Sequence, residues 1–204
     1  MVNGLMERHG PAAEWSKYMN TLKDLNYPDE KAARSNWVLS KVMVVQIFTG
    51  NAAGGHWSLV VVDRSSFKPG IFVYFDSLSG SGGSLDRANE VKKVIAIFPF
   101  YNENSKWIRA RVLDQRSGSN DCGVFMTCLA TAFVKSLDRD NVVGGSNQSL
   151  LLPPYTSVTV ELNGGAGAFG VEGRKHILQS MNEREINLDS AVFDMLNITR
   201  SYDV

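Results

Sequence analysis

Four side chains near the middle of the chain are of the types needed for acyl transfer through a thiol. They are His56, Asp76, Gln115 and Cys122. A histidine can accept the thiol proton, a carboxylate can orient the histidine, and a glutamine amide can donate a hydrogen bond to the oxyanion formed at an attacked carbonyl. The sequence around each residue predicts the element that would hold it in place.

His56 and Asp76 stand at the ends of two runs that predict neighbouring strands. His56 opens the run 56–63 and Asp76 closes the run 71–76, and both runs are rich in β-branched and aromatic residues. The polar connection 64–70 contains Pro-Gly, which favours a hairpin. A turn centred near residue 66 or 67 pairs residues whose numbers add to about 132, the sum for the two site residues. We therefore expect the imidazole and the carboxylate to lie within reach of each other.

Cys122 is expected at the N-terminus of an amphipathic helix. The polar, turn-prone stretch 114–121 precedes it. Apolar residues follow at helical spacing, namely Val124, Phe125, Cys128, Leu129, Ala132, Phe133 and Leu137. The helix dipole and the unpaired N–H groups at this end favour the thiolate and lower the pKa of a cysteine. Gly123 lets a substrate carbonyl approach the backbone, where the Cys122 N–H and the Gln115 amide would hold the oxyanion.

Each of these residues also has a purely structural alternative. A histidine at a strand start is often structural, an aspartate before a serine often begins a turn, and loop glutamines are common. Cys122 could be a buried small apolar residue in the manner of Cys128. Trp57 could pack in the core or on the surface.

The motifs around these residues resemble those of the ubiquitin-like-protein-specific cysteine proteases, the SUMO or sentrin protease family. The resemblance covers roughly residues 37–137. It rests on His56-Trp57, on Phe75-Asp76-Ser77-Leu78, and on Gln115 leading to Asp121-Cys122-Gly123. The family belongs to a clan shared with the adenovirus maturation protease and with bacterial effector deubiquitinases and acetyltransferases.

The resemblance implies a role for each site residue and a substrate class. It implies His56 as base, Asp76 as orienter, Cys122 as nucleophile and Gln115 as oxyanion donor. Trp57 matches the aromatic residue that lines a narrow channel over the substrate's terminal glycines. The implied activity is that of a thiol peptidase or isopeptidase cleaving after the C-terminal Gly-Gly of SUMO, NEDD8 or ubiquitin.

Three other functions remain open. In the SUMO proteases the glutamine usually stands six residues before the cysteine, where this chain has Arg116, whereas Gln115 stands seven before Cys122, as in the adenovirus enzyme. A viral-type endoprotease that matures polyproteins at Gly-containing sites is therefore one alternative. An effector-type acetyltransferase would use the same triad but needs a site for acetyl-CoA, and no basic cluster suggests one. A non-catalytic module that binds ubiquitin-like proteins is the third.

Composition agrees with a compact intracellular enzyme, and we expect no cofactor. A chain of 204 residues, 44% of them hydrophobic, can bury one core, so we expect a single domain over 1–204 and a monomer. The formal net charge is zero, which gives no indication of nucleic acid or a membrane as partner. Two cysteines fit a reducing compartment, the cytoplasm or nucleus. No metal is expected, since Cys122, Cys128 and the histidines lack zinc-site spacing.

The predicted fold class is α+β, a papain-like scaffold with a central, mostly antiparallel sheet packed between helices. We expect a helix at 12–25, a strand at 38–48 and a turn at 50–55. A helix should then bury one face, formed by Leu85, Ala88, Val91, Ile95 and Phe98. A strand at 107–113 should bury Ile108, Ala110 and Val112.

The last third of the chain has weaker patterns. The stretch 138–173 is rich in Gly, Ser and Pro and is expected to be an irregular insertion, either a long loop or a flap facing the substrate. Two short helices, at 174–181 and 189–196, are expected to complete the C-terminal stretch 174–204.

Overall fold

The computed structural model describes residues 42–51, 54–64, 70–79, 84–96, 101–116, 118–143 and 155–202. The helix predicted at 12–25 lies outside the described residues. The strands are β1 (Val42–Asn51), β2 (Gly54–Asp63), β3 (Ile71–Phe75), β4 (Lys106–Arg109), β5 (Arg111–Val112), β6 (Tyr155–Leu162) and β7 (Leu196–Tyr202). The helices are α1 (Ser84–Ile95), α2 (Cys122–Val143), α3 (Gly165–Glu183) and the short α4 (Ala191–Asp194).

A four-stranded sheet in the order β1-β2-β3-β4 forms the centre of the described structure. The β1–β2 hairpin is antiparallel up to the pair of Asn51 and Gly54. The predicted turn at 50–55 is therefore wrong in extent, because Gly50, Asn51 and the residues from Gly54 onward belong to the strands. The predicted strand at 38–48 is confirmed from Val42 onward, and residues 38–41 lie outside the described ones.

The register between β2 and β3 differs by two from the predicted one. The paired residues, such as Leu59 with Phe75, have numbers that add to 134 and not to 132. The connection is thus centred at residue 67, and the ladder ends before it reaches His56. A shift of two leaves every side chain on its expected face, because strand side chains alternate with period two. His56 and Asp76 are consequently diagonal neighbours on one face.

The strand predicted at 107–113 is two strands in different sheets. β4 pairs in parallel with β3, whereas β5 pairs in parallel with β6 in a three-stranded sheet of order β5-β6-β7. The predicted inward side is confirmed, since Ile108, Ala110 and Val112 are all buried. The chain therefore changes sheets at Ala110 without changing which side chains face the core.

The central sheet is covered on both faces, as the α+β prediction requires. One face packs against α2 and against residues of β6, α3 and α4, and together they form the larger of the hydrophobic clusters among the described residues. The other face packs against α1 in a smaller cluster. In this sheet, two of the three strand pairings among the described residues are antiparallel and one is parallel. The mostly antiparallel sheet between helices is thus confirmed.

The faces of α1 and α2 follow the predicted periodicity with one exception. On α1, Val91 and Ile95 are buried and Ala88 packs beside them, but Leu85 is 67% exposed. At 100° per residue Leu85 lies roughly a quarter turn away from their mean direction, so its predicted place in the core is wrong. Phe98 lies outside the described residues. On α2 the predicted apolar face is buried from Val124 to Phe133.

The predicted irregular insertion at 138–173 is wrong. Helix α2 continues to Val143, β6 begins at Tyr155, and α3 begins at Gly165, whereas 144–154 lie outside the described residues. The signal for β6 is the alternation at its centre, where Val158 and Val160 are buried and Thr159 between them is not. Tyr155 is buried out of this phase, and the pairing with β7 is irregular between Tyr155 and Ser157.

The prediction that 174–204 contains only helices is also wrong. The first helix begins earlier, at Gly165, and the second shrinks to the four residues of α4. The chain then enters β7, which pairs antiparallel with β6. The alternation in Leu196–Tyr202 favours a strand, but its partner β6 lies in the stretch 138–173, for which no strand is predicted.

Glycines in α3 allow it to pack closely on α2. A Cβ atom at Gly173 would lie 2.5 Å from Val124 Cγ1 and 3.3 Å from Cys128 Sγ. A side chain at Gly167, by contrast, would meet no atom within 4 Å. The low helix propensity of glycine is therefore tolerated at Gly173 because only hydrogen fits between the helices.

This packing predicts opposite effects for two identical substitutions in α3. Gly173→Ala should lower the free energy of unfolding by about 1–2 kcal/mol, because overpacking outweighs the gain in helix propensity. Gly167→Ala should raise it by about 0.5 kcal/mol by restricting the unfolded chain. Urea unfolding of the two variants and the wild type gives both values. A stabilised Gly173→Ala variant would contradict the close packing of α3 on α2.

Candidate active site

The end of β3 places Asp76 against His56. His56 is the third residue of β2, and Asp76 follows the last residue of β3. The His56 Nε2 atom lies 2.7 Å from Asp76 Oδ1, and both residues are buried. The predicted contact between the imidazole and the carboxylate is thus confirmed.

Asp76 accepts three further hydrogen bonds. The Leu78 N–H donates to Oδ1 at 2.8 Å, and the Tyr74 hydroxyl donates to Oδ2 at 3.2 Å. Arg87, on α1, donates from Nε to Oδ2 at 3.1 Å and from its Nη2 to the Leu78 carbonyl at 2.7 Å. The carboxylate is therefore fixed from its own loop, from β2, from β3 and from α1.

These contacts set the charges of the pair. Burial by itself raises the pKa of Asp76, but hydrogen bonds from His56 and Leu78 and the charges of His56 and Arg87 outweigh it and lower the pKa to about 2. Burial likewise lowers the pKa of His56, yet its bonds to Asp76 and Cys122 raise it to about 9. At neutral pH the site therefore holds a carboxylate and an imidazolium.

Cys122 is the first residue of α2, and its side chain hydrogen-bonds to His56. Burial opposes the thiolate, but the bonds from His56 and from the backbone of Trp57 and Gly123 lower the pKa of Cys122. Cys128 lies on the same helix, and burial alone raises its pKa to about 12. Cys122 also remains 9% exposed against 1% for Cys128, so the two thiols differ in both ionisation and access.

Gln115 is held by two serines beside the start of α2. Its backbone N–H donates to the Ser77 carbonyl at 2.7 Å, and its side-chain Oε1 accepts from Ser77 Oγ at 2.8 Å. The Nε2 atom donates to the Ser119 carbonyl at 2.8 Å. A carbonyl can only accept, so the orientation of the amide is fixed. Gln115 is buried, whereas Arg116, which stands at the alternative spacing, is exposed.

Trp57 lies over the start of α2. A Cβ atom at Gly123 would stand 3.5 Å from Trp57 Cδ1, so the indole edge lies about one methyl group away from the backbone beside the cysteine. Phe48 supports the indole from β1, with 5.2 Å between ring centroids. The structure thus places Trp57 and Gly123 together next to Cys122.

Three residues around the site had no signal in the sequence. Arg87 lies on a helix where an arginine is an ordinary surface residue, and nothing local links it to Asp76. Tyr74 lies within an apolar strand pattern that gives no sign of its hydroxyl contacts, which include Ser58 Oγ at 3.3 Å. Ser77 follows Asp76 in the sequence, but no local pattern indicates its bonds to Gln115, which join two distant loops.

Neither a metal nor a membrane is indicated by the residues the structure covers. Among them, no group of three or more His, Cys, Asp or Glu side chains could hold a metal ion. In the same part of the chain, none of the helices has the length and hydropathy to cross a membrane.

The pKa values of the two described histidines should be shifted in opposite directions. The pKa of His56 is raised to about 9, whereas burial beside Phe193 lowers the pKa of His176 below the usual 6.5. Imidazole resonances followed by NMR against pH would show both titrations, with a His176→Asn variant for assignment. In Asp76→Asn the His56 pKa should fall, because a raising contact is lost while the burial remains. A His56 titration near 6.5 in the wild type would contradict the geometry.

Comparison with known proteins identifies the family. The model of the Ulp1 protease family, C-terminal catalytic domain, matches residues 5–148, which include His56, Asp76, Gln115 and Cys122. Searches of curated proteins and of solved structures gave no match. The match covers more than half of the chain, and its family is the one that the sequence motifs resemble. The chain therefore belongs to the Ulp1 protease family, the cysteine proteases that act on ubiquitin-like modifiers.

Proposed function

We propose that the protein is a thiol peptidase or isopeptidase that cleaves after the C-terminal Gly-Gly of a ubiquitin-like modifier. In this proposal Cys122 is the nucleophile, His56 the base, Asp76 its orienter and Gln115 an oxyanion donor. The observation that carries it is the position of the His56 ring, which contacts Asp76 on one side and Cys122 on the other.

The two nitrogens of His56 have separate tasks. Nε2 is engaged with Asp76, which leaves Nδ1 as the nitrogen for the sulfur. The pKa of His56 is raised to about 9 and that of Cys122 is lowered, so the resting pair at neutral pH is an imidazolium and a thiolate. The proton needed by the leaving group is then already on His56 before the substrate binds.

The reaction follows from this charge state. The thiolate attacks the carbonyl carbon of the terminal glycine, and the carbonyl electrons move to its oxygen. When the intermediate collapses, the C–N bond breaks and His56 gives its proton to the departing amine. His56, now neutral, takes one proton from a water molecule as its oxygen attacks the thioester carbon. The C–S bond then breaks and the sulfur leaves as thiolate, which restores the imidazolium–thiolate pair, and the carboxylic acid product loses its remaining proton to solvent.

Gln115 is suited to stabilise the oxyanion. An amide NH₂ group has two donor hydrogens, and the bond to the Ser119 carbonyl uses one of them. The second hydrogen, together with the Cys122 backbone N–H at the start of α2, could bind the oxygen of the intermediate. Because Ser77 and Ser119 hold the amide in place, little reorganisation is needed during the reaction.

The contact between Trp57 and Gly123 supports a substrate with small residues at the cleaved end. A Cβ atom added at Gly123 would be in ordinary van der Waals contact with the indole, so a space about one methyl group wide separates the ring from the backbone at the nucleophile. Glycines, which have no side chain, fit such a restricted approach. This is the physical reason to favour a Gly-Gly tail.

A viral-type maturation endoprotease is the second candidate. The observation in its favour is the spacing of seven residues from Gln115 to Cys122, with the exposed Arg116 at the spacing of six. Such an enzyme would cut Gly-containing peptides without recognising a folded modifier. For either candidate we propose an intracellular monomer without a nucleic-acid or membrane partner, consistent with the two unpaired cysteines.

The nucleophile can be tested with ubiquitin, SUMO and NEDD8 probes that carry an electrophile at the C-terminus. We expect one probe to form an adduct at Cys122 in the wild type and in the matched Cys128→Ala variant, and none to react with Cys122→Ala. Peptide mass spectrometry identifies the labelled residue. Modification of Cys122→Ala by a probe would refute the assignment of the nucleophile. Labelling by no probe, with cleavage of a Gly-containing peptide, would favour the viral-type candidate.

The oxyanion role of Gln115 can be tested on whichever substrate is cleaved. Gln115→Ala should lower kcat by about 10²- to 10³-fold with little change in KM, because the lost bond acts mainly in the transition state. Arg116→Ala is the matched control and should retain activity within a few fold. Equal losses in both variants would show that the loop, and not the amide, is what matters.

A further inference from the structure

Asp121, the residue before Cys122, is enclosed by α3. Its Oδ1 accepts from both Nε and Nη2 of Arg174, with Nε at 2.9 Å. A Cβ atom at Gly170 would lie 2.8 Å from its Oδ2, so the carboxylate would have to shift to make room for any other residue there. The Asp121 backbone carbonyl also accepts the first helical bond of α2, from the Phe125 N–H at 2.9 Å. This one residue therefore joins α3 to the start of the helix that carries the sulfur.

The carboxylate of Asp121 has opposite effects on the helix and on the thiolate. A negative charge at a helix N-terminus is favourable to the helix dipole. The same charge, one residue from a thiolate, opposes ionisation of the thiol unless a cation balances it. Arg174 supplies that cation. The other titratable groups around the sulfur are His56 from β2 and, behind it, Asp76.

The burial of the two partners is unequal. The side chain of Asp121 is 12% exposed, whereas that of Arg174 is 53% exposed. Removing the guanidinium would therefore leave a buried charge without its partner but would leave no large cavity. This asymmetry separates an electrostatic role of Arg174 from a packing role.

We propose that Arg174 is a positioning residue for Cys122 that acts through Asp121, balancing its charge and holding the start of α2 against α3. The inference rests on the proposed nucleophilic role of Cys122 and deepens it. Arg174 and α3 lie beyond residue 148, where the match to the family model ends. The C-terminal part of the chain would thus contribute to the reactivity of the site.

The test is the rate of Cys122 alkylation by iodoacetamide as a function of pH, at low salt, with the label assigned by peptide mass spectrometry. Arg174→Gln should move the midpoint of the profile to higher pH and slow the reaction below the midpoint roughly tenfold, the change that one pKa unit makes in the thiolate fraction. Asp121→Asn should move the midpoint to lower pH. The double variant should return it close to that of the wild type, and Arg174→Lys should resemble the wild type more than Arg174→Gln does.

A purely structural contact makes different predictions. It would leave the midpoint unchanged in every variant, and the double variant would lose at least as much stability and rate as either single one. If circular dichroism shows that Arg174→Gln does not fold, the Asp121→Asn variant decides the test. The inference is overturned if the midpoint in that variant does not move to lower pH. An unreactive Cys122 in the wild type would instead count against the proposed function itself.

Discussion

The buried carboxylate of Asp76 is the constraint on which the described site depends. A carboxylate that is 1% exposed is stable only where hydrogen bonds and cations replace its water, and here four groups do so. These groups come from β2, from β3 and its following loop, and from α1. Because the carboxylate must contact all four groups, the end of β3 is fixed relative to the start of β2. It also holds the His56 ring in a charged state, because a neutral imidazole would leave the carboxylate less compensated.

The sulfur of Cys122 shows how local surroundings determine reactivity on a single helix. Cys122 and Cys128 both lie on α2 and are both largely buried, yet their pKa values shift in opposite directions. The difference lies in what surrounds each thiol. Cys122 has His56, the backbone of Trp57 on β2 and the backbone of Gly123 at the helix N-terminus, whereas Cys128 has apolar neighbours and the close contact with Gly173. Position on the helix, and not the type of residue, separates a reactive thiol from an inert one.

The sequence could predict those parts of the site that depend on residues close together in the chain or on two strands joined by one hairpin. The helix beginning at Cys122 and the contact between His56 and Asp76 are of this kind. The predicted contact is correct although the predicted register differs by two, because a shift of two leaves both side chains on the same face of the sheet. The split between β4 and β5 and the pairing of β6 with β7 depend on partners far along the chain. Arg87 and Arg174 could not be predicted, because an arginine within a helix gives no local sign of the buried carboxylate it contacts. The catalytic roles and the single domain stay predictions.

The central claim is that Cys122 is a thiolate at neutral pH because His56, held by Asp76, carries the proton. The most direct measurement is the ultraviolet absorbance of the thiolate as a function of pH, taken as the difference between the wild type and Cys122→Ala. The account predicts that the thiolate signal is already present below pH 7 and that Asp76→Asn moves its appearance to higher pH. A signal that appears only near the ordinary thiol pKa of 9.0 would contradict it.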